Sequence, residues 1–226
     1  MQNIAMENNL AETAFYVPKE NHFELRWFTP TIEVDLCGHA TLASAHVIFS
    51  TGYAKNEITF VSPRSGELNV RKDESVYTMN FPTDILHKVE APADLVKGLG
   101  IVPLKVYRGK TDYMAIVENQ TIIESLQPDF KVLEKLDARG TIVTAPGKNS
   151  DFVSRCFFPQ AGVDEDPTTG SAHTSMIPYW ATKLGEIEMT AIQLSKRKGH
   201  ISCKYLNDRV EISGQAKTYL IGEIFI

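Results

Sequence analysis

The chain carries two stretches that match each other, and each stops where a helix should start. Residues 26–38 read RWFTPTIEVDLCG and residues 155–170 read RCFFPQAGVDEDPTTG. Arg26, Phe28, Pro30, Val34 and Asp35 recur as Arg155, Phe157, Pro159, Val163 and Asp164 at one constant offset. After a small length change Gly38 matches Gly170, Gly52 matches Gly185, and Gly66-Glu67-Leu68 matches Gly199-His200-Ile201. A duplicated half-domain accounts for this pattern. Duplication constrains the fold, because two copies of one strand–loop–helix unit bring two helix N-termini to a shared seam.

At 226 residues there is room for one large domain or two small ones. A hydrophobic share of 43% and a charged share of 23% are those of a soluble globular protein. Net charge is −5 without a basic run, which argues against nucleic acid or an anionic membrane as partner. No apolar stretch reaches the roughly 18 residues of a membrane span, and the start, MQNIAMENNL, lacks a signal-peptide pattern. Cys37, Cys156 and Cys203 have no CxxC spacing, so reduced thiols in a cytoplasmic protein are expected.

Along the chain, residues 1–9 read as the tail of a helix, and 13–17 and 23–28 as strands. A loop over 29–36 leads into an apolar helix over 39–49, buried nearly all round and stopped by Gly52. Residues 58–61 and 67–71 form a hairpin, and 76–81 a further strand; 91–100 read as a short helix plus linker. The second copy repeats the order. It has strands over 113–118, 141–144 and 152–158, a helix over 130–136, a loop over 159–169, a helix over 171–184 and strands up to residue 213. The second copy is preceded by a strand and a helix, roughly residues 104–136, for which the first has no room. Either the chain is N-terminally short, or the loosely alternating residues 217–226 form a strand that returns to the first half. The expected division is 1–102, 103–216 and the returning strand 217–226.

Cys37-Gly38-His39-Ala40-Thr41 and Thr169-Gly170-Ser171-Ala172-His173 place glycine and small residues at two helix starts. Free first-turn amides and the helix dipole bind anions there, and glycine lets a ligand approach the backbone. For one helix alone, capping and tight packing are the better account. Two matched copies favour a shared cavity for a carboxylate or an enolate-like intermediate. Acid–base groups lie close in sequence. His39 follows Gly38 and titrates near neutrality, Asp166 precedes Pro167, and Glu12 sits in a polar turn entering a strand. A loop carboxylate is usually only solvated, and Asp164-Glu165-Asp166 reads first as an exposed acidic run. A role in chemistry requires one of the three turned inward with its pKa raised. Cys37 has the position of a reactive thiol, and the reading as a small buried hydrophobe is at least as strong. The histidines lack metal spacing, so no metal is expected, and neither a dinucleotide fingerprint nor a Walker sequence is present.

The motifs NNLAETAF (residues 8–15), RWFTPTIEVDLCGHATLASAHV (26–47) and GVDEDPTTGSAH (162–173) resemble the PhzF family of the diaminopimelate-epimerase-like superfamily, over essentially the whole chain. The resemblance implies an α+β fold of two pseudo-symmetric halves, each a curved, mostly antiparallel sheet around a central helix, with the active site between them. It implies a cofactor-independent isomerase or epimerase acting on a small carboxylate-bearing substrate, and a homodimer. Carried over by motif, Glu12 is the acid/base, His39 and Asp166 assist, and Gly38, Gly170 and Ser171 bind substrate. Related racemases use two opposed cysteines. Here Cys37 occupies one such place and Thr169 the other, whose hydroxyl is too weak an acid for that role. Family members begin with a strand and a GNP-type segment upstream of the position of Met1, so one wall of the cleft is expected to be short. A competing reading is a binding protein of the same fold that does not turn its ligand over.

Overall fold

A computed structural model describes residues 1–225. The first half of the chain runs α1 (Gln2–Asn8), β1 (Thr13–Pro18), β2 (Phe23–Phe28), β3 (Glu33–Val34), α2 (Gly38–Ser50), β4 (Glu57–Ser62), β5 (Gly66–Asp73) and β6 (Val76–Pro82). A connecting stretch holds β7 (His87–Val89) and α3 (Ala93–Leu99). The second half runs β8 (Lys105–Arg108), β9 (Asp112–Ile116), α4 (Gln120–Ser125), α5 (Phe130–Leu133), β10 (Gly140–Pro146), β11 (Phe152–Phe157), α6 (Gly170–Leu184), β12 (Glu188–Gln193), β13 (Gly199–Tyr205) and β14 (Arg209–Gly214).

All strands join one sheet, ordered β1-β2-β4-β5-β6-β14-β13-β12-β11-β10-β9-β8-β7, with β3 on β2. Most pairs are antiparallel. Three pairs run parallel: β2 with β4, β11 with β12, and β9 with β10. Parallel neighbours require a crossover, and for the first two pairs, one in each half, it is the long helix, α2 or α6. This is the duplication realised in space: a strand, a loop, a helix start, then a return strand. The two halves join where β14 pairs antiparallel with β6. One hydrophobic core spans that junction and includes Trp27, Phe60 and Phe81 from the first half and Phe152, Met176 and Trp180 from the second.

Helix α6 is more enclosed than α2. Its buried residues include the run Ala172–Ile177, and Pro178 sits inside it. Proline has no N–H to give the carbonyl four residues back. The backbone N–H of Asp84, from the segment after β6, takes the vacancy and donates to the Thr174 carbonyl at 3.1 Å. The halves are thus tied by a backbone bond at the very place where the helix lacks one of its own. Helix α2 departs from the all-round burial expected of it. Ala43, Val47 and Ser50, spaced along one helical face, are exposed to solvent.

The strand expected over 217–226 is not formed. Residues 215–225 carry no regular structure, Tyr219 and Phe225 are 97% and 94% exposed, and Ile226 lies outside the described residues. An alternation of apolar residues specifies a strand only where a sheet edge accepts it, and no such pairing is made by residues 215–225. Sequence reading also missed the short elements β3, β7, β8 and α4, each of six residues or fewer. No helix among the described residues is long and apolar enough to cross a membrane.

Candidate active site

The two helix starts meet. A Cβ built on Gly38 would lie 2.7 Å from the Cα of Gly170, and one on Gly170 would lie 2.7 Å from the Cα of Gly38. The glycines were expected to admit a ligand to the backbone. What approaches each of them is the other helix start. Cys37 is the N-cap of α2 and Thr169 the N-cap of α6, both extended, and neither side chain bonds its helix. First-turn amides of both helices are therefore left free at one seam, as anion-binding helix ends require.

Three titratable side chains converge there. His39, in the first turn of α2, donates from Nδ1 to the Thr168 carbonyl at 2.8 Å. A carbonyl only accepts, so this bond across the seam fixes the proton on Nδ1 and turns Nε2 toward Glu12. Glu12 comes from the turn between α1 and β1. Its Oε2 lies 3.0 Å from His39 Nε2, yet out of line for a hydrogen bond, and this buried oxygen has no hydrogen-bond partner. Asp166 Oδ1 lies 3.8 Å from His39 Nδ1.

The acidic run resolves into three separate fates. Asp164 is exposed. Glu165 forms a fork with Arg155, which donates from Nε at 2.7 Å and from Nη2 at 2.9 Å. Asp166 turns inward and is 4% exposed. Its Oδ2 accepts from the Thr169 hydroxyl at 2.5 Å, and its Oδ1 from the Thr168 amide at 3.4 Å. Burial raises the Asp166 pKa; His39 opposes the shift and Glu12 adds to it.

Burial alone would lower the His39 pKa. The Cys37 sulfur, the Glu12 carboxyl and Asp166 outweigh it, and the imidazole stands well above its ordinary value. Burial also pushes the Cys37 thiol up, against the opposing pull of the His39 charge. Ligating atoms of Glu12, Cys37 and His39 lie within 4.8 Å of one another, a donor set of the kind zinc accepts. Binding a metal there would release the thiol proton.

Several groups here had escaped the sequence. Gln193 is fully buried on β12. It accepts from the Thr169 amide at 2.7 Å and donates to the Asp166 carbonyl at 2.7 Å and the Thr169 hydroxyl at 3.1 Å. The alternation of Met189, Ala191 and Gln193 on the inner face of a strand was the signal available. Arg139, just before β10, donates from Nη2 to the Ser171 hydroxyl at 3.1 Å and is paired with Asp112. Nothing local marks it, since it lies in no motif.

Glu12, Cys37, His39, Arg139, Asp166, Gly170 and Ser171 all line one small cavity. Comparison with known proteins gives this arrangement its family. The family model of the phenazine biosynthesis-like proteins, PhzC-PhzF, matches residues 1–222. An isomerase of Pseudomonas aeruginosa is 45% identical over 226 residues, covering 100% of this chain and 87% of that protein. The crystal structure of a PhzF-family phenazine biosynthesis protein from Enterococcus faecalis superposes with a TM-score of 0.92 at 42% identity, covering 100% of this chain and 86% of that one. A predicted epimerase of Pseudomonas aeruginosa shares the fold, with a TM-score of 0.68 at 15% identity over 98% of this chain and 88% of that one. The chain belongs to the PhzC-PhzF family and is an enzyme of the isomerase type.

Proposed function

We propose that this enzyme moves a proton from one carbon of a small carboxylate-bearing metabolite to another position on the same molecule, with Glu12 as the acid/base. The observation that carries the reading is the buried Glu12 Oε2, without a hydrogen-bond partner, inside a cavity closed by two helix starts. Such an oxygen is free to take a proton from carbon. As the C–H bond breaks, its electron pair spreads into the adjoining carboxylate or double bond. The developing negative charge faces the free amides at Gly38, Gly170 and Ser171, preorganised donors of the kind that stabilise such charge most. Glu12 then returns the proton to a new carbon or the opposite face, and no redox equivalent is consumed. His39 holds its proton beside Glu12, and Asp166, its pKa raised by burial, completes the relay across the seam. Chain groups supply every proton in this scheme, so it proceeds without a cofactor.

Two-thiol racemisation fits less well, because the place opposite Cys37 is held by Thr169, whose hydroxyl is already committed to Asp166. Incubation with candidate carboxylates in heavy water tests the proposal. Deuterium should wash into carbon-bound positions with the native enzyme, and Glu12→Gln should abolish it while binding stays within a few-fold. Exchange that survives in Glu12→Gln refutes the assignment. Binding without any exchange by the native protein supports the non-catalytic alternative.

A further inference from the structure

We propose that Arg139 is the cation that anchors the substrate's carboxylate, and that the body of the substrate lies outside the small cavity, in an adjoining pocket. The proposal rests on the isomerase reading for the place where the reacting carbon must come. Arg139 is held as a fixed fork. Nε donates to Asp112 Oδ1 at 2.9 Å, Nη2 to Asp112 Oδ2, and the guanidinium lies 4.9 Å over the Phe158 ring. Nη2 also donates to the Ser171 hydroxyl at 3.1 Å. These bonds use Nε and Nη2; the two N–H groups of Nη1 find no acceptor among the described residues. Because guanidinium only donates, Ser171 Oγ must accept, and its own O–H is left to donate elsewhere. An Nη1 edge, a serine O–H and the uncapped first turn of α6 together present donors to one carboxylate. Arginine is the side chain best suited to that planar recognition.

The inner cavity, at about 20 Å³, has room for about one water molecule. Two larger pockets adjoin it. One of about 960 Å³ shares His39 and Gly170 with it. The other, of about 350 Å³ and within the range of small-molecule sites, shares Val34, Leu36, Arg139 and Ser171. A carboxylate held by Arg139 assigns the substrate body to the second. Only the reacting end of a ligand enters the inner space, and Arg139 stands at the passage between them. The outer pocket is lined by Ile32, Leu36 and Pro82, and also by Glu33, Asp35, Asp84 and Lys110. It therefore suits a compact acid whose body carries hydrogen-bond donors, such as amino or hydroxyl groups, away from the carboxylate.

Asp112 makes the idea testable in two directions. Asp112 is 4% exposed and paired with Arg139, so it neutralises the cation that a ligand meets. Removing its charge should tighten anion binding, whereas removing the Arg139 charge should weaken it. A merely structural ion pair predicts weakening from both changes. The probes are benzoate and benzamide, matched in shape and differing in charge, followed by titration in ligand-observed NMR. Native protein should prefer benzoate; Arg139→Gln should cut that preference about tenfold or more, and Asp112→Asn should raise benzoate affinity. If Arg139→Gln fails to fold, the Asp112→Asn, Arg139→Gln double variant keeps a neutral hydrogen-bonding pair and should show the same lost preference. No preference in the native protein, an unchanged preference without Arg139, or weaker benzoate binding in Asp112→Asn overturns the proposal. Benzoate undergoes no turnover and Glu12→Gln should keep the preference, so the anchor and the proton shuttle stand or fall separately.

Discussion

Gly38 and Gly170 touch through their backbones: each occupies the space that a Cβ on the other would need. One comes from each copy of the duplicated unit, and together they set how closely α2 and α6 converge. The obstructing atoms are main chain, which cannot swing aside as a flexible side chain can. Gly38→Ala and Gly170→Ala should each wedge the helix starts apart, costing about 1–3 kcal/mol of overpacking. For a chain of this size that lowers Tm by about 2–12 °C. Thermal melts and deuterium exchange check it, and an alanine variant with native Tm and native exchange would show that the contact is not needed.

The histidines of the two helices should leave opposite signatures in the pH dependence of stability. His39 has a raised pKa in the folded state, so it contributes stability that is fully present below its unfolded value of about 6.5 and lost as pH rises through the folded value. His173 is the reverse case. It is fully buried, Nδ1 donates to the Thr169 carbonyl at 2.7 Å, and burial lowers its pKa to about 4. Its contribution is present above about 6.5 and lost as pH falls toward about 4, a swing of about 3 kcal/mol. Denaturant melts across pH should show His173→Gln flattening the acid limb and His39→Gln the limb above neutrality. NMR titration of the His39 ring gives a direct reading, and Glu12→Gln or Asp166→Asn should each bring its midpoint down.

The repeat made the seam legible, because a strand followed by a Gly-led helix start leaves a pattern in adjacent residues. Glu12, His39 and Asp166 were reached through motifs, and the structure brings all three together. The roles of the glycines as mutual contacts were not legible, since a residue's partner in the other copy leaves no local mark. Arg139 was hidden for the same reason: its meaning depends on Asp112 and Ser171, 27 and 32 residues away. The segment 217–226 erred the other way. Alternation shows that a stretch could pair, and says nothing of a vacant edge within reach.

Cys37 separates thiol chemistry from carboxylate chemistry. Burial pushes its pKa up, and a thiol that holds its proton is not a base. Cys37→Ala should therefore keep deuterium exchange within a few-fold of native, and chelators should leave exchange unchanged. A loss of a hundredfold or more in the alanine variant would make Cys37 a proton carrier. A loss restored by added zinc would instead point to a metal held with Glu12 and His39.

Gln193 tests how much the site depends on a group too remote to touch the substrate. Its amide holds three polar groups of the loop before α6, the Thr169 amide and hydroxyl and the Asp166 carbonyl. Gln193→Leu preserves bulk but leaves the Thr169 N–H and the Asp166 carbonyl buried without those partners, at about 1–3 kcal/mol for each. The loop should relax to find water, carrying the Asp166 carboxyl away from His39. Turnover should fall while benzoate affinity, set at Arg139, changes little, and the His39 titration midpoint should drop because a supporting charge has moved. Gln193→Glu offers the contrast: it keeps an acceptor for the Thr169 amide, loses the donor to the Asp166 carbonyl and buries a carboxyl beside Asp166, so its defect should be at least as large. A leucine variant with native turnover and a native His39 midpoint would mean that Asp166 is positioned by Thr168 and Thr169 alone.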